Sequence, residues 1–316
     1  MDIFEGKSIL VTGGTGSLGG ALIDEIFTCS NGVPKQVLVF SRDEAKQYEM
    51  QKRMNGPRIS YMIGDIRDPA SVHKALRGMH IVINAAAMKH VPACEYAPAE
   101  AVQTNVLGVE NIIRAIEQHN LPVETLLQIS TDKAVEPLSV MGMTKAICER
   151  LIIHANLRLP ITRCICIRMG NILNSRGSVV PLFREQITRG GPVMVTHPDM
   201  TRFFITLKDA ALEMIKCLCV VRRGDIYVPR IKSARIQDLA LLMSEGKCDI
   251  QYIGIRAGER IHERLISEDE IPRTDDHIEY CVIHPALWVV APTGLRCPHD
   301  AVSVLSYVYT SHDTVL

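Results

Sequence analysis

The sequence carries no net charge with which to attract a polyanion: 35 Lys+Arg stand against 35 Asp+Glu. That balance gives no general attraction to nucleic acid or to an anionic membrane. Aromatic residues are scarce, at 5% with a single tryptophan (Trp288), which argues against a base-stacking surface. No apolar run approaches the roughly 18 residues of a membrane-crossing helix; the apolar stretches are strand-length, such as Ile81 to Ala87. The opening MDIFEGKSILVTGG has neither a basic n-region nor a long apolar h-region, so a cytoplasmic location is expected. Ten cysteines are present, but none forms a C-x-x-C pair, and Cys164 and Cys166 alternate with Ile165 and Ile167 as in a strand. Neither a disulfide framework nor a metal site is expected; buried thiols in a reducing compartment are. Internal repeats and low-complexity tracts are missing as well.

What is present is ordinary globular composition, 47% hydrophobic and 22% charged over 316 residues, enough for one large or two modest domains. Short β-branched runs read as strands at Ser8–Thr12, Gln36–Phe40, Ile59–Ile63, Ile81–Asn84, Thr125–Ser130 and Cys164–Arg168. Amphipathic stretches between them read as helices at Ser17–Cys29, Asp43–Met54, Pro69–Leu76, Pro98–His119 and Val140–Leu157. This alternation predicts an α/β fold, a doubly wound parallel sheet of the Rossmann kind over residues 1–169. After Gly170 the pattern loosens around Gly177, Gly190, Gly191 and Pro192, with one further helix over Asp209–Cys219. Residues 170–316 are expected to form a smaller substrate-binding lobe, part of which returns to the first domain. The tail from Asp275 suggests no role.

Gly13, Gly14, Gly16 and Gly19 lie between the first strand and the first helix, in the spacing of a dinucleotide loop. Glycines there allow a tight turn and a close backbone approach, and the helix N-terminus faces the pyrophosphate. Gly13, Thr15, Gly16, Ser17, Leu18 and Gly19 are therefore candidate cofactor contacts. The second strand ends in Ser41-Arg42-Asp43, with Lys46 one turn on. A guanidinium suits a 2′-phosphate, so NADP is the expected cofactor, with Asp43 still able to take a ribose hydroxyl.

The densest chemistry is Ser130-Thr131-Asp132-Lys133 leaving the fifth strand, followed by Met141 and Lys145 on one face of the next helix. This resembles the short-chain dehydrogenase layout, with Met141 where tyrosine is usual. In these segments the chain resembles the nucleotide-sugar 4,6-dehydratases of the polysaccharide-biosynthesis branch of extended short-chain dehydrogenases. The likeness runs from about Phe4 to Asp269 through TGGTGSLG, FSRDEAKQ, GDIRD, NAAAMKHVP, TNVLGVENI, STDKAVEP, MGMTK, RMGNIL, SRGSVVPLF, HPDMTRFFIT, IRAGERIHE and LISEDE. Members with methionine in place of the tyrosine belong to that branch. Glu136 and Leu138-Ser139 depart from its Asn-rich stretch.

The resemblance implies an NADP-dependent lyase that removes water from UDP-N-acetylglucosamine: oxidation at C4, elimination across C5 and C6, and hydride return to C6. It makes Asp132 the acid at the C6 oxygen and Lys133 the base at C5, which requires a lowered lysine pKa. Lys145 would bind the nicotinamide ribose and help deprotonate the C4 hydroxyl, Thr131 would hold that hydroxyl, and Met141 would pack. Asp65, Ile66, Ala85, Ala86 and Asn105 are added to the cofactor set. Ala87, Lys89, Asn171, Val179, Thr196, Met200, Arg202, Arg256 and Glu259 are the substrate set, the two arginines as diphosphate ligands; His90 is weighed as structural. A homo-oligomer, dimer or hexamer, is expected. The alternatives are a nucleotide-sugar 4-epimerase, which shares the first oxidation, and a non-catalytic NADP-binding sensor.

Overall fold

A computed structural model describes residues 2–286 and 305–315; Trp288 and much of the tail lie outside the described residues. Six parallel strands run along the first half: β1 (Ser8–Thr12), β2 (Gln36–Ser41), β3 (Ile59–Ile63), β4 (Ile81–Asn84), β5 (Thr125–Thr131) and β6 (Arg163–Met169). β1, β2 and β4 to β6 are near-continuous buried runs, as strands covered on both faces must be. The helices α1 (Ser17–Thr28), α2 (Glu44–Arg53) and α3 (Pro69–Leu76) follow the first three strands. Asp43 caps α2 and Asp68 caps α3, whose Pro69 stands in the first turn. α1 begins instead on Gly16 with no capping side chain, so its first amides stay open.

The single helix expected over Pro98–His119 is broken. After α4 (Val91–Tyr96) come α5 (Pro98–Ala101), a wide π turn at Val102–Leu107, and α6 (Gly108–Gln118). The wide turn carries Asn105, whose side-chain oxygen accepts from the Met88 amide at 2.8 Å and whose amide donates to Thr144 Oγ1 at 2.9 Å. One inserted residue thus ties the loop after β4 to α7 (Val140–Arg158).

The second half contributes β7 (Asn171–Ile172), α8 (Val179–Thr188), β8 (Val193–Val195), β9 (Thr201–Ile205), α9 (Leu207–Val220), β10 (Ile226–Pro229), β11 (Ser233–Arg235), α10 (Ile236–Ser244) and β12 (Ile250–Tyr252). β13 (Arg264–Ile266), β14 (Thr274–Asp276), β15 (Tyr280–Ile283) and β16 (Tyr309–Thr310) complete it. The main sheet has the order β3-β2-β1-β4-β5-β6-β10-β15-β14. β10 joins β6 in parallel, while β15 and β14 add an antiparallel edge. Three smaller sheets (β11-β9-β7, β12-β8 and β13-β16) form the distinct C-terminal lobe, with its own apolar cluster of Phe183, Val193, Val195, Met200, Ile236 and Ala240.

The strand order reverses beside β1, between β2 and β4, which opens a crevice at the strands' carboxyl ends. Behind β5 and β6, Arg168 is buried between Glu149 of α7 at 2.8 Å and Glu270 of the lobe at 2.7 Å, and Ser130 donates to Glu149 at 2.6 Å. This buried triad joins sheet, helix and lobe next to the turn that follows β5.

Candidate active site

The glycine loop is built for close approach. Gly13 sits at φ +63°, and a Cβ on it would meet the Ala86 amide at 2.8 Å and the Ala85 carbonyl at 2.9 Å. A Cβ on Gly19 would meet Gly13 and Gly14 at 2.7 Å. Positions 13 and 19 can therefore only be glycine, and the uncapped start of α1 leaves amides facing the crevice, a cradle that fits a dinucleotide pyrophosphate. A chain of hydrogen bonds stiffens its floor: Thr12 donates to Asn84 at 2.5 Å, and Asn84 donates to Gln128 at 2.6 Å. Ser17 accepts from the Arg176 amide at 3.3 Å, so the loop before α8 lies over the cradle.

At the end of β2 the cations expected for a 2′-phosphate are already partnered. Lys46 pairs with Asp43, and Arg42 lies 3.5 Å from Asp65, which also takes Arg67 at 2.7 Å. Although burial opposes it, Arg67 and Arg42 hold the Asp65 carboxyl below its ordinary pKa. Asp43 and Asp65 thus face the cations at this strand end, and Ser41 is buried. Ile66 is packed under Gly108, and Asn105 is occupied by Met88 and Thr144.

The turn after β5 concentrates the reactive groups. Asp132 is 1% exposed; its Oδ1 accepts from Thr131 Oγ1 at 2.8 Å and from Lys133 Nζ at 3.0 Å, while its Oδ2 is buried without a partner. Burial pushes the Asp132 carboxyl above its ordinary pKa, against the pull of Lys133. Lys133 also reaches Glu263 at 3.2 Å and Asn171 at 3.3 Å. Burial alone would depress its amine, but the Asp132 and Glu263 carboxylates outweigh that and raise its pKa. Lys133 is thus held as an ammonium, not as the neutral base expected of it. Burial depresses the amine of Lys145, which donates to the Ile129 carbonyl at 2.8 Å. Met141 is 4% exposed in a cluster with Cys94 and Ala101, flanked by Met88, Val91 and Val140.

The remaining candidates divide. Lys89 follows β4, within 3.3 Å of Ser175 Oγ; with Ala87, Asn171 and Val179 at the head of α8, it belongs to elements around the crevice. His90 packs on Gly177, where a Cβ would fall 2.1 Å from the ring. Arg256 is exposed, and its amide points to Glu259 at 3.4 Å in a loop that Gly258 seats on Ser139, the cap of α7. Arg202, in contrast, is buried, its guanidinium donating to the carbonyls of Thr201, Ile261 and Arg260. Met200 lies in the lobe core, with Thr196 donating to its sulfur at 3.1 Å. Glu263 was not singled out in the sequence, though it ends the IRAGERIHE stretch; a carboxylate in such a stretch has no marker until its lysine partner is seen. Among the described residues there is no disulfide, no cluster able to hold a metal and no helix long and apolar enough to cross a membrane.

The family profile described as polysaccharide biosynthesis protein matches residues 9–285. An uncharacterized membrane protein of Methanocaldococcus jannaschii is 40% identical over 296 residues, 90% of this chain and 87% of its own. A UDP-glucose 4-epimerase of Rickettsia conorii is 39% identical over 285 residues, 88% of this chain and 83% of its own. Among solved structures, Pen from Bacillus thuringiensis matches 99% of this chain and 96% of its own at 32% identity, with a TM-score of 0.88. The fold is shared with DesIV of Streptomyces venezuelae, a dTDP-glucose 4,6-dehydratase with NAD bound, at 20% identity, TM-score 0.72, covering 80% of this chain and 86% of that one.

These findings correct three expectations. The relatives near 40% identity whose activity is named are UDP-glucose 4-epimerases, which overturns the UDP-N-acetylglucosamine 4,6-dehydratase and its lyase class. NADP is overturned likewise: solved structures of this fold hold NAD or NADH, and Arg42 and Lys46 here face carboxylates.

Proposed function

From membership of the polysaccharide biosynthesis protein family, to which this chain belongs, we propose that it is an NAD-dependent nucleotide-sugar 4-epimerase acting on a UDP-hexose. The reading is supported by the named relatives and by a dinucleotide cradle opening beside a turn of proton-handling groups. When bound, NAD accepts a hydride from the sugar carbon and gives it back. Gly13, Thr15, Gly16, Ser17 and Leu18 hold the pyrophosphate, and Asp43 or Asp65 the adenosine ribose.

Inverting C4 through a ketone requires the C4 hydroxyl to lose its proton and later regain it. Met141 cannot take that proton, so it must leave by another route. The observation that carries the reading is Asp132: buried, held above its ordinary pKa, and hydrogen-bonded to the hydroxyl of Thr131. Thr131 receives the sugar hydroxyl, Asp132 stores the proton, and Lys133 fixes the carboxyl from its other side. Lys145, held by the Ile129 carbonyl, lines the same strand end and orients the cofactor ribose. Met141 closes the pocket to water. Lys89, Asn171, Val179 and Arg256 grip the nucleotide, so that the sugar can turn while its carrier stays fixed.

Proton NMR of UDP-glucose, UDP-galactose and their N-acetyl forms, each incubated with the protein and NAD, tests this. Interconversion at C4 without change of mass is expected, with NAD supporting it better than NADP. A product lighter by one water, or no change in any of the four, overturns it.

A further inference from the structure

One buried carboxylate is used by no step above. Glu263 is 4% exposed, and its Oε1 lies 3.2 Å from Lys133 Nζ and 3.7 Å from Arg202 Nε. A buried carboxylate is tolerable only when paired, so these cations determine where it sits. Its main chain is clamped by the C-terminal segment. The Glu263 amide donates to Ser311 Oγ at 2.9 Å, the Ser311 amide donates back to the Glu263 carbonyl at 2.9 Å, and Ser311 Oγ meets Thr201 Oγ1 at 2.7 Å. Its neighbours Arg260 and Arg264 both pair with Glu136, at 3.3 and 3.0 Å, at the far end of the catalytic turn. One lobe segment thus holds that turn at both ends.

We propose that Glu263, seated by Ser311, is a positioning residue that holds the Lys133 ammonium against Asp132. This rests on the reading of Asp132 and Lys133 as the proton-handling pair. The charged groups facing Lys133 are Asp132, Glu263 and Arg202; those facing Glu263 are Lys133, Arg202 and Arg260. Lys133 has two carboxylates to balance it, so its charge does not depend on whether Asp132 carries the proton. Removing the charge of Glu263 leaves Asp132 as the only carboxylate bonded to Lys133, and the two then exchange the proton instead of keeping distinct roles.

The test uses the full chain with 13C-labelled lysine, its Lys133 signal assigned by Lys133→Arg, and needs no substrate. In Glu263→Gln the Lys133 amine should titrate about 1–3 pH units lower, the range for loss of an adjacent opposite charge; Glu263→Asp should restore the wild-type titration. In the epimerase assay Glu263→Gln should lower kcat by up to ~100-fold, the cost of misplacing a reacting group by about 1 Å. KM should change little, and the acid limb of the pH profile should move down. An unshifted Lys133 titration in folded Glu263→Gln, or a rate loss with an unshifted pH profile, overturns the proposal. Should that variant not fold, Ser311→Ala, which keeps the charge but releases its seat, must move the Lys133 resonance and lower kcat; no change there overturns it too. If no sugar nucleotide is converted by the wild type, the epimerase reading falls while the titration still decides the role of Glu263.

Discussion

A carboxyl with one oxygen sealed away from every donor is costly to keep ionised, and Asp132 is such a group. On the proposed reading, the proton that neutralises it is the one the reaction moves, which makes its burial a matter of chemistry at the scale of a single residue. Asp132→Asn keeps the shape and the hydrogen bond from Thr131 but cannot gain or lose a proton. It should lower kcat by about 10²–10⁴-fold, the usual contribution of a general acid–base group, with KM for the UDP-sugar little changed. Steady-state kinetics on a variant with an unchanged melting temperature checks this. The residue types of this turn were legible in the sequence, because Thr131, Asp132 and Lys133 stand together after a strand and Lys145 stands on the following helix. Their protonation states were not. The state of Lys133 depends on Glu263, 130 positions away in the chain, and no local spacing encodes that pairing. The surroundings of Arg202 were hidden for the same reason: its guanidinium donates to carbonyls of residues 260 and 261, far along the chain.

At the scale of elements, the glycine loop and α1 act as a unit whose geometry leaves no room for a side chain. Gly13→Ala would place a methyl group within 2.9 Å of the backbone after β4 at a positive φ. The loop must then move away from β4, and NAD affinity by calorimetry should fall by at least about tenfold, or ~1.4 kcal/mol. An unaltered affinity would mean that the cofactor does not use this turn. The six parallel strands were readable because each is a short apolar run between turn signals, with bounds agreeing to within a residue. The π turn at Val102–Leu107 was not readable, since its sequence keeps helical periodicity on both sides and differs only in how Asn105 is aimed. The lobe's helices α8 and α10 were missed because their apolar faces meet short strands that propensity alone does not reveal.

For the molecule as a whole, stability is tied to pH through charges that join distant parts of the chain. Glu270 is partnered by Arg168, which overcomes burial and holds its carboxyl down at about 2 from 4.5. A depressed carboxylate stabilises the fold above its unfolded value and loses that contribution as pH falls toward about 2. His284 works in the opposite direction. Asp225 at 2.9 Å, joined by Asp275 at 2.8 Å, raises its imidazole to about 9 from 6.5 despite burial. Its contribution is complete below pH 6.5 and disappears as pH rises through about 9. Together these give a plateau between the two unfolded values, with an acid and an alkaline flank. The alkaline flank begins with His284, below the pH near 9 at which the thiols buried in the folded chain ionise in the unfolded one. Urea midpoints measured from pH 6 to 8 should therefore decline in the wild type. In His284→Gln the midpoint should start lower and stay flat over that interval, since the neutral amide cannot exchange a proton with Asp225 and Asp275. A wild-type midpoint that holds level to pH 8 would mean that the imidazole is not charged between those carboxylates, and that the edge strand β15 is held to β10 by its backbone ladder and packing alone.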